Sequence, residues 1–292
     1  MVAEGSSAVE TNPRFALVQQ LGRELSGGQL EVPGFPDIAV RVRKALQDTN
    51  CTADSVSKIV SAEPMIAARL LRMANSAALK PGKVEIKDLK TAVNRIGFAL
   101  VRSAAISFAV EQMKLAHNLD AVKKELEDVW HDSAAVAANA YVLARRCRGI
   151  NPDEALLAGL MHSVGKLYVL SRAEQHPTLF DDPDELAAVM AEWYVPIGEA
   201  ILQNWEFSTD MVGAVSAQLE RDKAVGEAPD LGDFLIVAVL LREIQGKDTD
   251  DMIAALNAAK TRPRLGLSAE EVLSLVEESE QQINELKRSL GD

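Results

Sequence analysis

The sequence has few of the residues that build disulfide frameworks, zinc sites or nucleic-acid surfaces. Its 292 residues include two cysteines, Cys51 and Cys147, which lie too far apart for a zinc or redox motif and are interpreted as reduced thiols. The formal net charge of −12 argues against a nucleic-acid partner, because binding the phosphate backbone needs clustered cations. The short basic run at 145–148 is interpreted as cations that complement the negative end of a helix dipole.

Long hydrophobic runs and a basic, apolar leader are also missing. No apolar stretch reaches the roughly 18 to 20 residues that a membrane helix needs. Residues 1–11 include Glu4 and Glu10 and show no basic region followed by an apolar run. We therefore expect no membrane segment and a cytoplasmic location. A glycine-rich phosphate loop, a nucleophile elbow and a His-Glu-x-x-His motif are absent as well, which removes three common routes to catalysis.

Apolar residues recur at three- and four-residue spacing in almost every segment between turn signals, and no stretch alternates convincingly with a two-residue period. Hydrophobic residues make up 48% of the chain, enough to bury a substantial core. We predict an all-α protein with two helical lobes, 31–117 and 118–246. A leader and first helix over 1–30 would precede them, and a C-terminal helical extension over 247–292 would follow.

The predicted helices lie between turn signals. In the first half they cover 15–25, 38–46, 54–60, 65–74, 89–96 and 98–110, with connectors at 31–36 and 80–87 and a break near Gly97. A segment rich in lysine and glutamate at 123–128 is predicted to separate the lobes. In the second half the predicted helices cover 129–147, 154–170, 185–193, 197–205, 210–219 and 231–244.

The last segment begins with a capping box, in which Ser268 is the N-cap and Glu271 follows three residues later. An apolar stripe continues at roughly heptad spacing and is interrupted at Ser279 and Glu280. We predict a helix that docks onto its own body, with a free coiled coil as the alternative. If the segment instead binds another chain, its contact residues would be Ser268, Val272, Leu275, Ile283, Leu286 and Leu290.

Two of the four histidines are candidates for a polar site. His117 follows a helix end and His176 precedes a proline, so both are interpreted as turn residues. His131 and His162 lie in strongly apolar helices, where one histidine is usually a satisfied core residue but two in neighbouring helices could share a polar pocket. Lys166, one turn after His162, would point into this pocket or extend to the surface.

This pocket lacks the carboxylates that a catalytic metal needs. Two neutral imidazoles would leave the charge of a divalent cation uncompensated, and hard cations prefer oxygen ligands. Metal-assisted hydrolysis also requires the cation to activate a water molecule. Ser163 offers only a neutral hydroxyl. Asp132 directly follows His131, and consecutive helical residues point about 100° apart, so we expect Asp132 to face elsewhere.

Several motifs resemble the HDOD domain, a catalytically silent relative of the HD and HD-GYP phosphohydrolases that occurs in bacterial signalling proteins. The resemblance covers about 31–246. It implies an HD-like helical bundle preceded by a smaller helical lobe. The motifs that carry it are VPGFP at 32–36, EPMIAARLLRMANS at 63–76, AVNRIG at 92–97, WHDS at 130–133 and AGLMHSVGK at 158–166.

Carried over position by position, the resemblance implies a degenerate metal site. His131 and His162 keep two ligand types, while Ser163 replaces the motif aspartate. Val239 stands at the position of the final aspartate. Further histidines of many relatives are replaced at Tyr194 and Gln218.

We therefore expect no enzyme, no bound metal and no cofactor, but a cytoplasmic signal-transduction module that binds another signalling protein. One alternative is a metal-dependent phosphohydrolase acting on a nucleotide or cyclic dinucleotide. Another is a sensor of small anions that uses His131, His162 and Lys166. The sequence argues against the hydrolase through Ser163 and Val239, and it leaves the partner, the oligomeric state and any ligand open.

Overall fold

The computed structural model describes residues 13–28, 30, 37–76, 85–114, 122–147, 149–222 and 228–290. Within these ranges the chain forms α-helices, short 3-10 helices and no strand, which confirms the all-α prediction. The connector at 31–36, most of the loop at 80–87, His117 and Arg148 lie outside the described residues. In the described part of the chain, no helix combines the length and apolarity of a membrane span.

The first five helices follow the predicted boundaries closely. Helix α3 begins with a capping box between Thr52 and Ser55, and α4 begins at Pro64, where a missing N–H costs nothing. Helix α5 is kinked at Gly97, which adopts φ 79° and confirms the predicted break. The bounds are α1 Pro13–Gly27, α2 Asp37–Gln47, α3 Ala53–Val60, α4 Pro64–Asn75 and α5 Leu89–Lys114.

The second half contains six further helices among the described residues. Its long helix α6 lies at the centre, where it packs against α7, α8 and α11 and buries nearly every residue from 133 to 144. Gly159 of α7 meets the backbone of Ala137 of α6 so closely that a Cβ would lie 2.3 Å from its Cα. The bounds are α6 Lys123–Arg146, α7 Pro152–Met161, α8 Val164–Ala173, α9 Pro183–Asn204, α10 Thr209–Ser216 and α11 Leu231–Ile244.

Three predicted boundaries in this half are wrong. Helix α6 begins at Lys123 and not at residue 129, so the charged segment 123–128 forms its first turns, with Leu126 buried on their inner side. The predicted helix 154–170 is two helices that meet at Ser163. The predicted helices 185–193 and 197–205 form one helix, α9, which continues through the exposed Pro196.

Both ends of the described chain pack onto the other helices. Glu24 of α1 accepts hydrogen bonds from the Tyr168 hydroxyl at 2.7 Å and from Arg172 Nε at 2.9 Å, both on α8, so α1 is held against the second half. The C-terminal extension also packs on the body, as predicted, although Ser279 divides it into two helices. The bounds are α12 Thr249–Ala258, for which no separate helix was predicted, α13 Ala269–Glu278 and α14 Glu280–Leu290.

Candidate functional site

The candidate site forms where α7 ends and α8 begins. His162 is the C-cap of α7, and Ser163, with φ −108° and ψ 12°, leads into α8. Helix α6 covers this corner with Asp132 and Ser133. The residue Gln218, which follows α10, closes it from another side, because its Nε2 donates to the carbonyl of His162 at 2.9 Å. The corner therefore joins α6, α7, α8 and the segment that follows α10.

His162 is buried, with 5% of its surface exposed. Its Nδ1 lies 2.6 Å from the carbonyl oxygen of Gly159. Because a carbonyl oxygen only accepts, Nδ1 carries the proton and Nε2 keeps the lone pair. Burial lowers the pKa of His162 to about 4, against the smaller opposing effect of the bond to Gly159. The imidazole is therefore neutral at neutral pH.

Ser163 stands inside a chain of hydroxyl groups. Its Oγ is hydrogen-bonded to Oγ of Ser133, which in turn donates to the carbonyl of Val129 at 2.7 Å. Since the Ser133 proton is used on Val129, the Ser163 hydroxyl is the donor to Ser133. Ser163 is 1% exposed. Its hydroxyl thus serves to join the start of α8 to α6.

The structure places the two predicted histidines in different surroundings, since His162 is buried and His131 is not. His131 is exposed, while the next residue, Asp132, lies on the side of α6 that faces α11, where it accepts a hydrogen bond from Arg242 Nε at 2.8 Å. The negative charge of Asp132 acts on both His162 and Lys166. The prediction that Asp132 faces away from this corner is therefore wrong, while the pairing of His131 with His162 stays a prediction.

Lys166 is half-buried on the first turn of α8. Its Nζ lies 5.0 Å from the centre of the Tyr194 ring, a cation–π arrangement. Burial lowers the pKa of Lys166, and the charges of Asp132 and Glu243 act in the opposite direction. Burial also raises the pKa of the Tyr194 phenol to about 12. Because Ser163 ends the helical path between His162 and Lys166, their predicted position on one continuous helix face does not hold.

The position at which the resemblance expects the last metal ligand carries an apolar side chain. Val239 lies on α11 and is 8% exposed. The neighbouring Gln218 donates from Nε2 to two backbone carbonyls, and its Oε1 has no hydrogen-bond partner among the described residues. No group of three or more histidine, cysteine, aspartate or glutamate side chains in the described ranges is arranged to hold a metal ion.

These donors do not fit a catalytic divalent cation. Nε2 of His162 is the one imidazole lone pair in the corner, the Ser163 hydroxyl is engaged, and Val239 has no donor atom. The carboxylate of Asp132 is already paired with a guanidinium. A metal bound here would have to displace Arg242, and the nearby carboxylate of Glu243 is itself paired with Arg221.

Comparison with known families decides the identity. The model of the HDOD domain family matches residues 32–220. The chain belongs to the HDOD domain family. This confirms the resemblance found in the sequence, although the match ends before the predicted boundary at 246. No curated protein matches the chain.

Solved structures of similar proteins share the fold of this HDOD chain. The "Putative metal-dependent phosphohydrolase" of Shewanella amazonensis SB2B is 27% identical, with a TM-score of 0.76 over 96% of this chain and 100% of that one. An "HDOD domain protein with unknown function" of Geobacter sulfurreducens is 20% identical, with a TM-score of 0.62 over 94% and 97%. A "Putative signal transduction protein" of Marinobacter aquaeolei VT8 is 19% identical, with a TM-score of 0.60 over 98% and 68%.

The C-terminal stripe lies beyond the HDOD match and faces inward. Val272, Leu286 and Leu290 are at most 1% exposed, Leu275 and Ile283 are half-buried, and Ser268 caps α13 through the predicted box with Glu271. Helix α14 contacts α4, α5 and α6. The stripe is therefore part of the core of this chain, and its buried members do not form an accessible surface for a partner.

Proposed function

We propose that this HDOD protein is a non-enzymatic module of bacterial signal transduction that acts by binding another signalling protein. The observation that carries the proposal is the pair Ser163 and Val239, a hydroxyl bonded to Ser133 and an apolar side chain at the two positions where the resemblance calls for carboxylates. A corner in which side chains bond mainly to each other and to the backbone supports a structural role.

A metal-dependent phosphohydrolase is the alternative, because a similar protein of S. amazonensis carries that name. The donor set argues against it, since the reaction needs a cation that activates water and stabilises the charge of the phosphoryl group. A sensor of small anions has less support. Asp132 and Glu243 already place negative charge near Lys166, and His162 is neutral.

Catalysis is tested on the purified full chain with bis(p-nitrophenyl) phosphate and added manganese or magnesium, alongside elemental analysis. We expect no stoichiometric metal and no turnover that depends on His162. About one metal per chain, together with hydrolysis that His162→Ala abolishes, would contradict the proposal. In calorimetric titration with manganese, the double variant Ser163→Asp/Val239→Asp should bind more tightly than the wild type, whereas equal affinities would show that these positions do not face one site.

Association is tested by affinity capture from the native cell extract, followed by identification of the bound protein and measurement of its affinity with purified components. The large exposed apolar side chains in the described ranges are Phe15, Met65, Phe98 and Leu219. We expect His162→Gln to retain the partner and a glutamate at one of these four positions to weaken it at least tenfold. Loss of the partner in His162→Gln, with all four surface variants unchanged, would favour a signalling role for the buried corner instead.

A further inference from the structure

A cavity of about 450 Å³ lies between the helices up to α11, which we call the HDOD body, and the C-terminal extension formed by α12, α13 and α14. Helices α6 and α11 form one wall, and α12, α13 and α14 form the other. Helix α6 lies within the family match, which ends at residue 220, whereas α11 and the whole second wall lie beyond it. The volume lies within the range typical of sites for small molecules. The cavity is separate from the corner around His162, and none of the candidate site residues except Ile283 lines it.

Apolar and polar side chains from both walls share the lining of the cavity. The apolar members favour an apolar body in the ligand, because transfer of apolar surface out of water is the main source of affinity at sites of this kind. The apolar lining residues that the argument uses are Leu241, Met252, Leu273, Val276 and Ile283.

Asn139 is one of the polar members of this lining. It lies on the central helix α6, is 9% exposed, and lines the cavity. Because an amide offers both hydrogen-bond donors and an acceptor, a ligand in the cavity can be recognised there through a group that also donates and accepts.

The charges at the cavity argue for a neutral ligand. Glu277, Glu280 and Lys287 belong to its lining, and they carry opposite signs with a negative excess. An anionic head group would meet the two carboxylates, and a cation would leave the Asn139 N–H groups unused. We propose that the cavity binds a small neutral molecule with an apolar body and a group, such as a carboxamide, that both donates and accepts hydrogen bonds.

The ligand would bridge two parts of the molecule. It would contact α6 and α11 on one side and the three C-terminal helices on the other. Because a ligand that binds only the folded state stabilises it, occupancy should raise the thermal midpoint of the full chain.

The test uses the full-length protein and N-phenyl-1-naphthylamine, a neutral apolar probe whose fluorescence rises in an apolar site. Octanamide and octanoate are compared as competitors. Val276→Trp fills the cavity, and Leu219→Trp adds the same side chain at an exposed position outside it. Asn139→Leu removes the amide with little change in size. Circular dichroism and thermal unfolding establish that each variant is folded, and Ile283→Phe replaces Val276→Trp if that chain does not fold.

We expect the wild type and Leu219→Trp to bind one probe per chain, and Val276→Trp to bind none. Octanamide should displace the probe at lower concentration than octanoate. In Asn139→Leu the probe should remain bound while octanamide competes about three to ten times less well, the loss expected for one hydrogen bond.

Four results would overturn the proposal. One is the absence of saturable probe binding to the wild type. The second is unchanged probe binding in the folded cavity-filling variant. The third is equal competition by octanamide in Asn139→Leu and the wild type. The fourth is a dimer in sedimentation experiments whose formation excludes the probe, because a second copy of the chain would then cover the cavity.

Discussion

At the scale of single residues, the neutral state of His162 links the candidate site to stability. Its pKa is about 4 in the folded chain and near 6.5 in the unfolded chain, because burial disfavours the charged imidazole. Between these values the unfolded state binds more protons than the folded state. The contribution of His162 is therefore fully present above pH 6.5 and is lost as the pH falls through 4.

The prediction is that lowering the pH from 7 to 4 reduces the free energy of unfolding by about 3 kcal/mol more in the wild type than in His162→Gln. Urea unfolding at each pH measures the difference between the two chains, so that titration of carboxylates common to both cancels. His131→Gln, at an exposed position, is the control and should keep the wild-type slope. Parallel pH profiles for wild type and His162→Gln would mean that His162 is accessible to protons in the folded state.

The identity of the site residues was partly readable from the sequence. The resemblance to the HDOD domain located Ser163 and Val239, and neither residue can act as a carboxylate ligand, whatever the fold. The choice between His131 and Asp132 could not be made, since α6 is apolar on nearly all sides after residue 133 and its periodicity does not single out one face. Gln218 was indicated by the resemblance alone, because its contact with His162 spans 56 residues and leaves no local pattern in the sequence.

At the scale of helices, the corner depends on the close approach of α8 and α9. A Cβ added to Gly165 would lie 1.8 Å from the carbonyl oxygen of Tyr194, a backbone atom that cannot turn away. Glycine at this position allows the two backbones to touch. The contact also fixes the ring of Tyr194 near Lys166.

Gly165→Ala should therefore force the two helices apart and reduce the free energy of unfolding by about 3 kcal/mol. Gly213→Ala is the matched control, because Gly213 lies within α10 with no atom near its added Cβ. That change should stabilise the chain by up to about 1 kcal/mol through higher helix propensity. Thermal and urea unfolding measure both changes. Equal effects of the two alanines would mean that α8 and α9 are farther apart than described.

The boundaries of helices were predictable where the outer face is polar and not where burial is complete. Helices α2, α3 and α4 have one apolar face and clear start signals, and their predicted limits hold within a few residues. Nearly every residue of α7 is buried, so the apolar pattern runs through the break at Ser163 without a change. From the sequence alone, Pro196 predicts a break in the helix. The helix continues because Pro196 and Glu192, whose carbonyl loses its N–H partner, are both exposed to water.

At the scale of the whole molecule, the C-terminal extension is joined to the HDOD body by polar contacts as well as by its apolar stripe. Arg264 Nε donates to Asp233 Oδ2 at 2.8 Å, and Asp233 is fully buried in the first turn of α11. The thiol of Cys147, at the end of α6, donates to the carbonyl of Leu265 at 3.3 Å. These contacts place the segment before α13 against two central helices.

Removal of residues 268–292 should consequently destabilise the entire chain. The truncation exposes the partners of Val272, Leu286 and Leu290, and burial of each such side chain contributes about 2 kcal/mol, so the expected loss is about 6 kcal/mol. Thermal unfolding and size-exclusion chromatography should show a much lower midpoint and aggregation. Within the full chain, Leu286→Ala should cost about 3 kcal/mol and the exposed Gln281→Ala little. A truncated chain that keeps its midpoint but no longer binds its partner would identify α13 and α14 as an interaction element, since only helices that add little to the core can be removed without loss of stability.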